Sequence, residues 1–181
     1  MKPVRVSREV IYQSPWMNVY ADKVKLPGGR VVDRHYFLDF PEGGVAALVE
    51  NEKKEILLIQ SYRYVIDAVE WEIPAGRPNA DEEPIQTAKR EVFEETGFET
   101  HGHRILYGYY PMNGVANAFF HIVHCKAGNQ TGKVDDNEVN DLKWVSVEGL
   151  KRLIKNREIR DGFTLISLFL YLNSELIDAA K

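Results

Sequence analysis

The stretch Arg90-Glu91-Val92-Phe93-Glu94-Glu95-Thr96-Gly97 stacks like charges where a helix is about to end, and it constrains the chain more than any other segment. Pro84 is pre-set for a first helical position, and Ile85, Ala88 and Val92 recur at three- and four-residue spacing as a buried stripe. Gly97 suits the residue after the last turn, because it takes a left-handed conformation without a Cβ penalty. On such a helix Glu91 and Glu95 stand about 40° apart and Glu94 about 60° to the other side of Glu91. Like charges at this spacing cost a few tenths of a kcal/mol each, and a helix C-terminus disfavours anions by roughly 0.3–1 kcal/mol more. Arg90, four residues before Glu94, is the local relief. Two readings stand: a solvated acidic face, or a site for a hard divalent cation, which prefers carboxylate oxygen and would turn the repulsion into attraction.

Around this helix the chain reads as strands. Pro27-Gly28-Gly29 punctuates a hairpin of about 17–26 with 30–40, inside a strand-rich segment 4–40. Val45–Val49 and Ile56–Ile59 are short apolar runs that predict buried central strands. Further strands are expected at about 70–76, 98–110, 117–126 and 139–146, with polar loops at 77–83 and 127–138. Two helices close the chain, near 147–156 and 162–178. Strands that lead, a helix that interrupts them and helices that finish place the chain in a mixed α/β class. No linker or repeat divides the 181 residues, which fit one domain.

Composition narrows the function classes. A formal charge of −4 argues against a partner held by phosphate neutralisation, so no nucleic acid is expected. The most apolar run, Phe163 to Leu172, is too short to span a bilayer, so no membrane is expected either. With the single cysteine Cys125 and no apolar leader, the expectation is a cytoplasmic protein. His121 and His124 point to opposite faces of a strand, which argues against a zinc pair. His101 and His103 read as surface residues.

The flanks of the glutamate stripe choose between its two readings. From Gly76 to Phe98 the sequence runs Gly-x5-Glu-x7-Arg-Glu-Val-x-Glu-Glu-x-Gly-Phe. This resembles the Nudix box. The segments Trp71-Glu72-Ile73-Pro74-Ala75-Gly76, Gln60-Ser61-Tyr62-Arg63-Tyr64 and Ile159-Arg160-Asp161-Gly162 are similar to those of ADP-ribose pyrophosphatases and extend the likeness over most of the chain.

The resemblance implies an α/β/α sandwich with a mixed sheet, here preceded by antiparallel N-terminal strands (1–40, with the core from 41). It implies hydrolysis of a nucleoside diphosphate linked to another moiety, with Mg²⁺ or Mn²⁺. Glu91, Glu94 and Glu95 would be metal ligands, with the carbonyl of Ala75 completing the set and Gly76 allowing close backbone approach. Arg90 would orient Glu94 or its neighbour through its guanidinium fork. Glu82 either reaches the metal through water or fixes the loop. Glu138 is the first candidate for general base and Asp136 the second, on a loop that otherwise reads as solvated acid. Arg63 and Glu72 would contact substrate, while a surface arginine stacked on tyrosine is the plainer alternative for Arg63. Trp16, Tyr20 and Tyr36 could offer a stacking face, although aromatic residues in strands more often pack across the sheet.

One departure bears on substrate. The ADP-ribose subgroup carries a proline and then a glutamate after the box, and this chain has Asn113 and Ala118 there, within Pro111–Ala118. A nucleoside diphosphate sugar, such as ADP-ribose or GDP-mannose, is therefore the expected substrate class. The rivals are capped RNA, dinucleoside polyphosphates, oxidised nucleoside triphosphates, or binding without turnover. The subgroup's crossing N-terminal strands imply a homodimer.

Overall fold

In the computed structural model of the protein, residues 1–178 are described, and they form two compact units. The first comprises Met1–Gly43 and Tyr110–Phe119. It is an antiparallel sheet in the order β1 (Val4–Tyr12), β2 (Asn18–Lys25), β3 (Val31–Asp39). The β2–β3 hairpin is the one expected from Pro27-Gly28-Gly29, with Gly29 at φ 88°. Asp22, buried on β2, takes a forked pair of hydrogen bonds from Arg8 at 2.8 and 2.9 Å. The loop 110–119 runs along β3. Leu38 donates its amide to Val115 and accepts one from Asn117, and the Asn117 side chain receives the amide of Phe40. This unit therefore takes in a loop from the middle of the chain, beyond the expected 1–40.

The second unit, Gly44–Tyr109 with Phe120–Lys181, carries the larger sheet. Its strands are β4 (Gly44–Glu50), β5 (Ile56–Arg63), β6 (Ala68–Glu72), β7 (Ala75–Gly76), β8 (Phe98–Tyr109), β9 (Phe120–Gln130) and β10 (Asp141–Val145). The main path is β10-β5-β4-β9-β8, with β6 on β5 and β7 on β4. β4 and β9 are parallel and the other pairs antiparallel, so the sheet is mixed.

Every residue of β4 is buried, and side-chain alternation distributes them to two layers. Val45, Ala47 and Val49 meet Ala88 and Val92 of α1 (Pro84–Thr96). Ala46 and Leu48 meet Leu150 of α2 (Val147–Lys155) and Leu168 of α3 (Gly162–Leu172). Helices on both faces make the expected α/β/α sandwich.

Three expectations need correction. The helix foreseen over 162–178 stops at Leu172, and a short α4 (Glu175–Asp178) follows. The strand foreseen over 70–76 breaks at Ile73-Pro74, where proline has no N–H to give the ladder; the Pro74 carbonyl instead accepts the Ala47 amide at 2.8 Å. Ile85 is not part of the buried stripe of α1, which comprises Thr87, Ala88, Val92, Glu95 and Thr96. Among the described residues no helix is long and apolar enough to cross a membrane.

Candidate active site

Helix α1 starts at Pro84, and the Gln86 side chain reaches back to accept the Glu83 amide at 3.1 Å. Gly97 ends it at φ 72°, where a Cβ would come within 2.5 Å of the Gly132 backbone. The Gly97 carbonyl accepts the amides of Thr131 and Gly132, both at 3.0 Å. The loop that follows is tied again by Asp135 N–H to the Glu95 carbonyl at 3.3 Å and by Asn140 N–H to the Gln60 carbonyl at 2.8 Å. Glu138 is exposed on this loop, and its charge acts on both Glu91 and Glu95. Asp136 is exposed on the same loop.

Arg90 gathers the acidic groups around it. Nε and Nη2 hold both oxygens of Glu82 at 3.0 and 2.9 Å, and Nη1 donates to Glu91 at 2.7 Å and to Glu94 at 2.9 Å. Nη2 also reaches the Arg77 carbonyl at 2.9 Å. Glu82 in turn accepts the Asn79 amide at 2.8 Å, which ties it to the loop. Its bonds to Arg90 hold its carboxyl down at about 2. Glu94 is exposed on the outer side of this cluster.

Glu91 and Glu95 are in the opposite condition. Burial raises the Glu91 carboxyl, against the pull of Arg90. Glu95, only 6% exposed, lies on the core stripe of α1, seven residues after Ala88. Burial and then the charges of Glu91 and Glu138 push its carboxyl up to about 8, while the Ala75 amide and Arg63 pull it down. Its Oε2 is buried without a hydrogen-bond partner. The Glu91 carboxylate fills the space beside Gly76, where a Cβ would meet Oε1 at 1.9 Å.

Next to these groups β5 and β6 line a cleft of about 730 Å³ with Arg63, Tyr64, Glu70, Glu72, Arg160 and Asp161. Arg63 forks onto the buried Glu72, with Nε at 2.8 and 3.1 Å from its two oxygens and Nη2 bonded as well. Arg160 does the same to the buried Glu70. The Arg160–Glu70 pair was not foreseen from the sequence. Its signal was available, since Glu70 and Glu72 share one strand face by two-residue alternation, and two buried glutamates there require cations. A second unforeseen link runs from Asp161, which accepts both the amide and the hydroxyl of Thr164 at 2.7 and 2.8 Å, to Ile73, whose amide donates to Thr164 Oγ1 at 3.0 Å. The N-terminus of α3 thus holds the segment that enters β7.

The structure therefore brings Glu91, Glu95, Ala75, Glu138, Arg63 and Glu72 toward one place and leaves Glu94 on Arg90. The aromatic candidates lie in the other unit. Tyr20 packs under Arg8 with the guanidinium 4.3 Å from its ring, Tyr36 lies beneath Arg34 at 5.3 Å, and Trp16 is 70% exposed. His124 bonds to Glu50 at 2.8 Å and lies far down β9 from Phe120.

Among the described residues no three His, Cys, Asp or Glu side chains are gathered at metal-binding spacing, and Arg90 Nη1 sits between Glu91 and Glu94. The donor set nonetheless suits a hard cation: an orphaned buried Glu95 oxygen, two carboxyls raised by burial, and a glycine that leaves room for Glu91.

Comparison with known proteins gives the family. The model of the NUDIX domain matches residues 41–164, and that of the nucleoside diphosphate sugar hydrolase N-terminal domain matches residues 5–38. A CMP-5'-(N-acetyl-N-hydroxy-3-aminopropyl)phosphonate hydrolase of Streptomyces rubellomurinus is 30% identical over 90% of this chain and 79% of its own. An ADP-ribose pyrophosphatase of Bacillus subtilis is 26% identical over 97% and 96%, and a GDP-mannose pyrophosphatase of Cronobacter sakazakii 25% over 83% and 84%. The crystal structure of an ADP compounds hydrolase superposes with a TM-score of 0.78 at 18% identity, covering 99% of this chain and 96% of the other, which shows a shared fold. The family model spans well over half of the chain and contains every residue from Arg63 to Glu138 discussed above, so the chain belongs to the Nudix domain family.

Proposed function

We propose that the protein hydrolyses the pyrophosphate bond of a nucleoside diphosphate sugar, with Mg²⁺ or Mn²⁺, to a nucleoside monophosphate and a sugar phosphate. The observation that carries this reading is the buried, partnerless Glu95 oxygen beside Glu91 and the β7 backbone. The names of the relatives, pyrophosphatases of ADP-ribose and of GDP-mannose, support the substrate class.

Glu91, Glu95 and the Ala75 carbonyl would hold the metal, with Glu94 entering the set on release from Arg90. Bound there, a divalent cation supplies positive charge against the diphosphate oxygens. Arg63 is oriented by Glu72 and offers its remaining N–H groups to phosphate. Glu138 takes a proton from the attacking water as its oxygen bonds to one phosphorus. The bridging P–O bond breaks, and the bridging oxygen leaves on the other phosphate. Arg90 keeps Glu82 and Glu91 in register throughout.

The test is a kinetic screen of nucleotide sugars in Mg²⁺ and in Mn²⁺ with product identification. Stoichiometric release of a sugar phosphate and a nucleoside monophosphate is expected. Attack only on triphosphates or capped RNA would overturn the reading. Binding of a nucleotide sugar without turnover in either metal would favour a non-catalytic binder.

A homodimer belongs to the same proposal. All nine residues of β1 are exposed, with Val4, Val6, Val10 and Ile11 on both faces of the strand, an apolar edge that a partner would cover.

A further inference from the structure

The turn that joins β5 to β6 is made of residues that turns seldom use. Arg63 pairs with Ala68 across the two strands, so Tyr64, Val65, Ile66 and Asp67 make the connection. Gly, Pro, Asn, Asp and Ser dominate such turns, and of these four residues only Asp67 is among them. Tyr64 is 86% exposed, Val65 92% and Ile66 59%. The tip is nonetheless held in one shape. Tyr64–Ile66 form a 3₁₀ turn, Asp67 closes it in the left-handed region at φ 48°, and the Asp67 amide donates to the Tyr64 carbonyl at 3.3 Å. The Tyr62 hydroxyl donates to the Asp67 carboxylate at 2.7 Å and braces the turn from the strand before it.

Single apolar side chains on a surface are ordinary. Three in succession on a braced tip form a patch, and this patch has a place: Tyr64, Val65 and Ile66 line the same cleft of about 730 Å³ as Arg63 and Arg160. Val69, 46% exposed, alternates with Ala68 and Glu70 onto the opposite face of β6, away from the cleft. A cleft of that size takes a whole drug-sized ligand, so the diphosphate proposed to lie at Arg63 leaves room beyond it. Next to Arg63 come an aromatic ring and two branched aliphatic side chains, whose one side-chain hydrogen-bonding group is the tyrosine hydroxyl. A sugar asks for donors and acceptors at each of its hydroxyls, whereas a nucleobase offers two flat faces for stacking. The tip suits the base.

We propose that the β5–β6 tip is the wall that receives the nucleobase of the substrate, with Tyr64 against its face and Val65 and Ile66 excluding water beside it. The proposal rests on the hydrolase reading for the place of the diphosphate at Arg63. Because the tip is braced before any ligand arrives, little freedom is lost when the base binds. Stacking accepts every base, so the tip sets a preference for a nucleotide over a plain sugar phosphate rather than for one base over another.

The test compares ligands that differ by the base alone: AMP, GMP and CMP, each against ribose 5-phosphate, by titration calorimetry on the full chain in Mg²⁺. At least one nucleotide should bind about tenfold or more tighter than ribose 5-phosphate. In Tyr64→Ser/Val65→Ser that advantage should fall below about threefold, with the melting temperature unchanged because both side chains are exposed. Val69→Ser, on the opposite face, should keep it. For a hydrolysed nucleotide sugar the double variant should raise KM about tenfold and leave kcat within about threefold. An advantage below tenfold in the unaltered chain, one that stays above threefold in the double variant, or one lost equally in Val69→Ser would overturn the proposal. Release of monomers from a dimer by the double variant, seen in sedimentation, would also overturn it and assign the tip to a second copy of the chain. The calorimetry needs no turnover, so the two readings fail separately. A tip-dependent advantage without hydrolysis of any nucleotide sugar would sink the hydrolase reading and keep the wall, and hydrolysis without the advantage would sink the wall alone.

Discussion

Glu95 sits where its helix would sooner have a leucine. It shares the stripe of Ala88 and Val92, which pack into the core, and it carries an oxygen with no partner. Burial raises its carboxyl from 4.5 to about 8, so between those values the folded chain keeps a proton that the unfolded chain has lost. Stability of the metal-free protein should therefore fall as pH rises through that window. Glu95→Gln should flatten this dependence in thermal melts and stabilise the metal-free protein above pH 8 by on the order of a few kcal/mol. The same variant should lose about a hundredfold or more in turnover if the carboxylate holds the metal. Glu138→Gln is the companion experiment. A fall in kcat of more than about tenfold is expected, with little change from Asp136→Asn, because Glu138 is the one whose charge acts on Glu91 and Glu95. A smaller loss would remove Glu138 from the role of base.

The elements differ in how openly the sequence declared them. Helix α1 was legible at both ends, because Pro84 and Gly97 act through backbone conformation, which is local. Its buried face was only half legible: Ile85, 37% exposed, fits the spacing but lies in the first turn, ahead of the part of the helix that meets the sheet. The pairings of Arg63 with Glu72 and Arg160 with Glu70 depend on which strands become neighbours, and no short window of sequence contains that. The break at Pro74 was visible as a residue, but its use, a carbonyl given to Ala47, is tertiary. The junction of β7 with α1 also gives a prediction. In Gly76→Ala the new methyl would meet the Glu91 carboxylate at 1.9 Å and displace it. Activity should drop at least tenfold while the melting temperature shifts by only a few degrees, because the clash is with the end of a flexible side chain. A large loss of stability with catalysis retained per folded molecule would show instead that the glycine serves folding.

On the scale of the whole molecule, two compact units share the chain, and the mid-chain loop 110–119 belongs with the N-terminal strands. The sequence announced the strands of the first unit through their hairpin but gave no sign that the loop joins them, since its bonds to Leu38 are backbone contacts over a long separation. If the exposed strand β1 is covered by a second copy, sedimentation should report a dimer, and charges placed at both Val6 and Val10 should release monomers without unfolding the larger sheet. The loop carrying Glu138 is moored to Gly97 at one shore and to Gln60 at the other. Across natural variants, such a bridge can exchange its letters freely, but a residue gained or lost between the moorings would swing its acid out of reach, so divergence there should run by replacement and seldom by insertion.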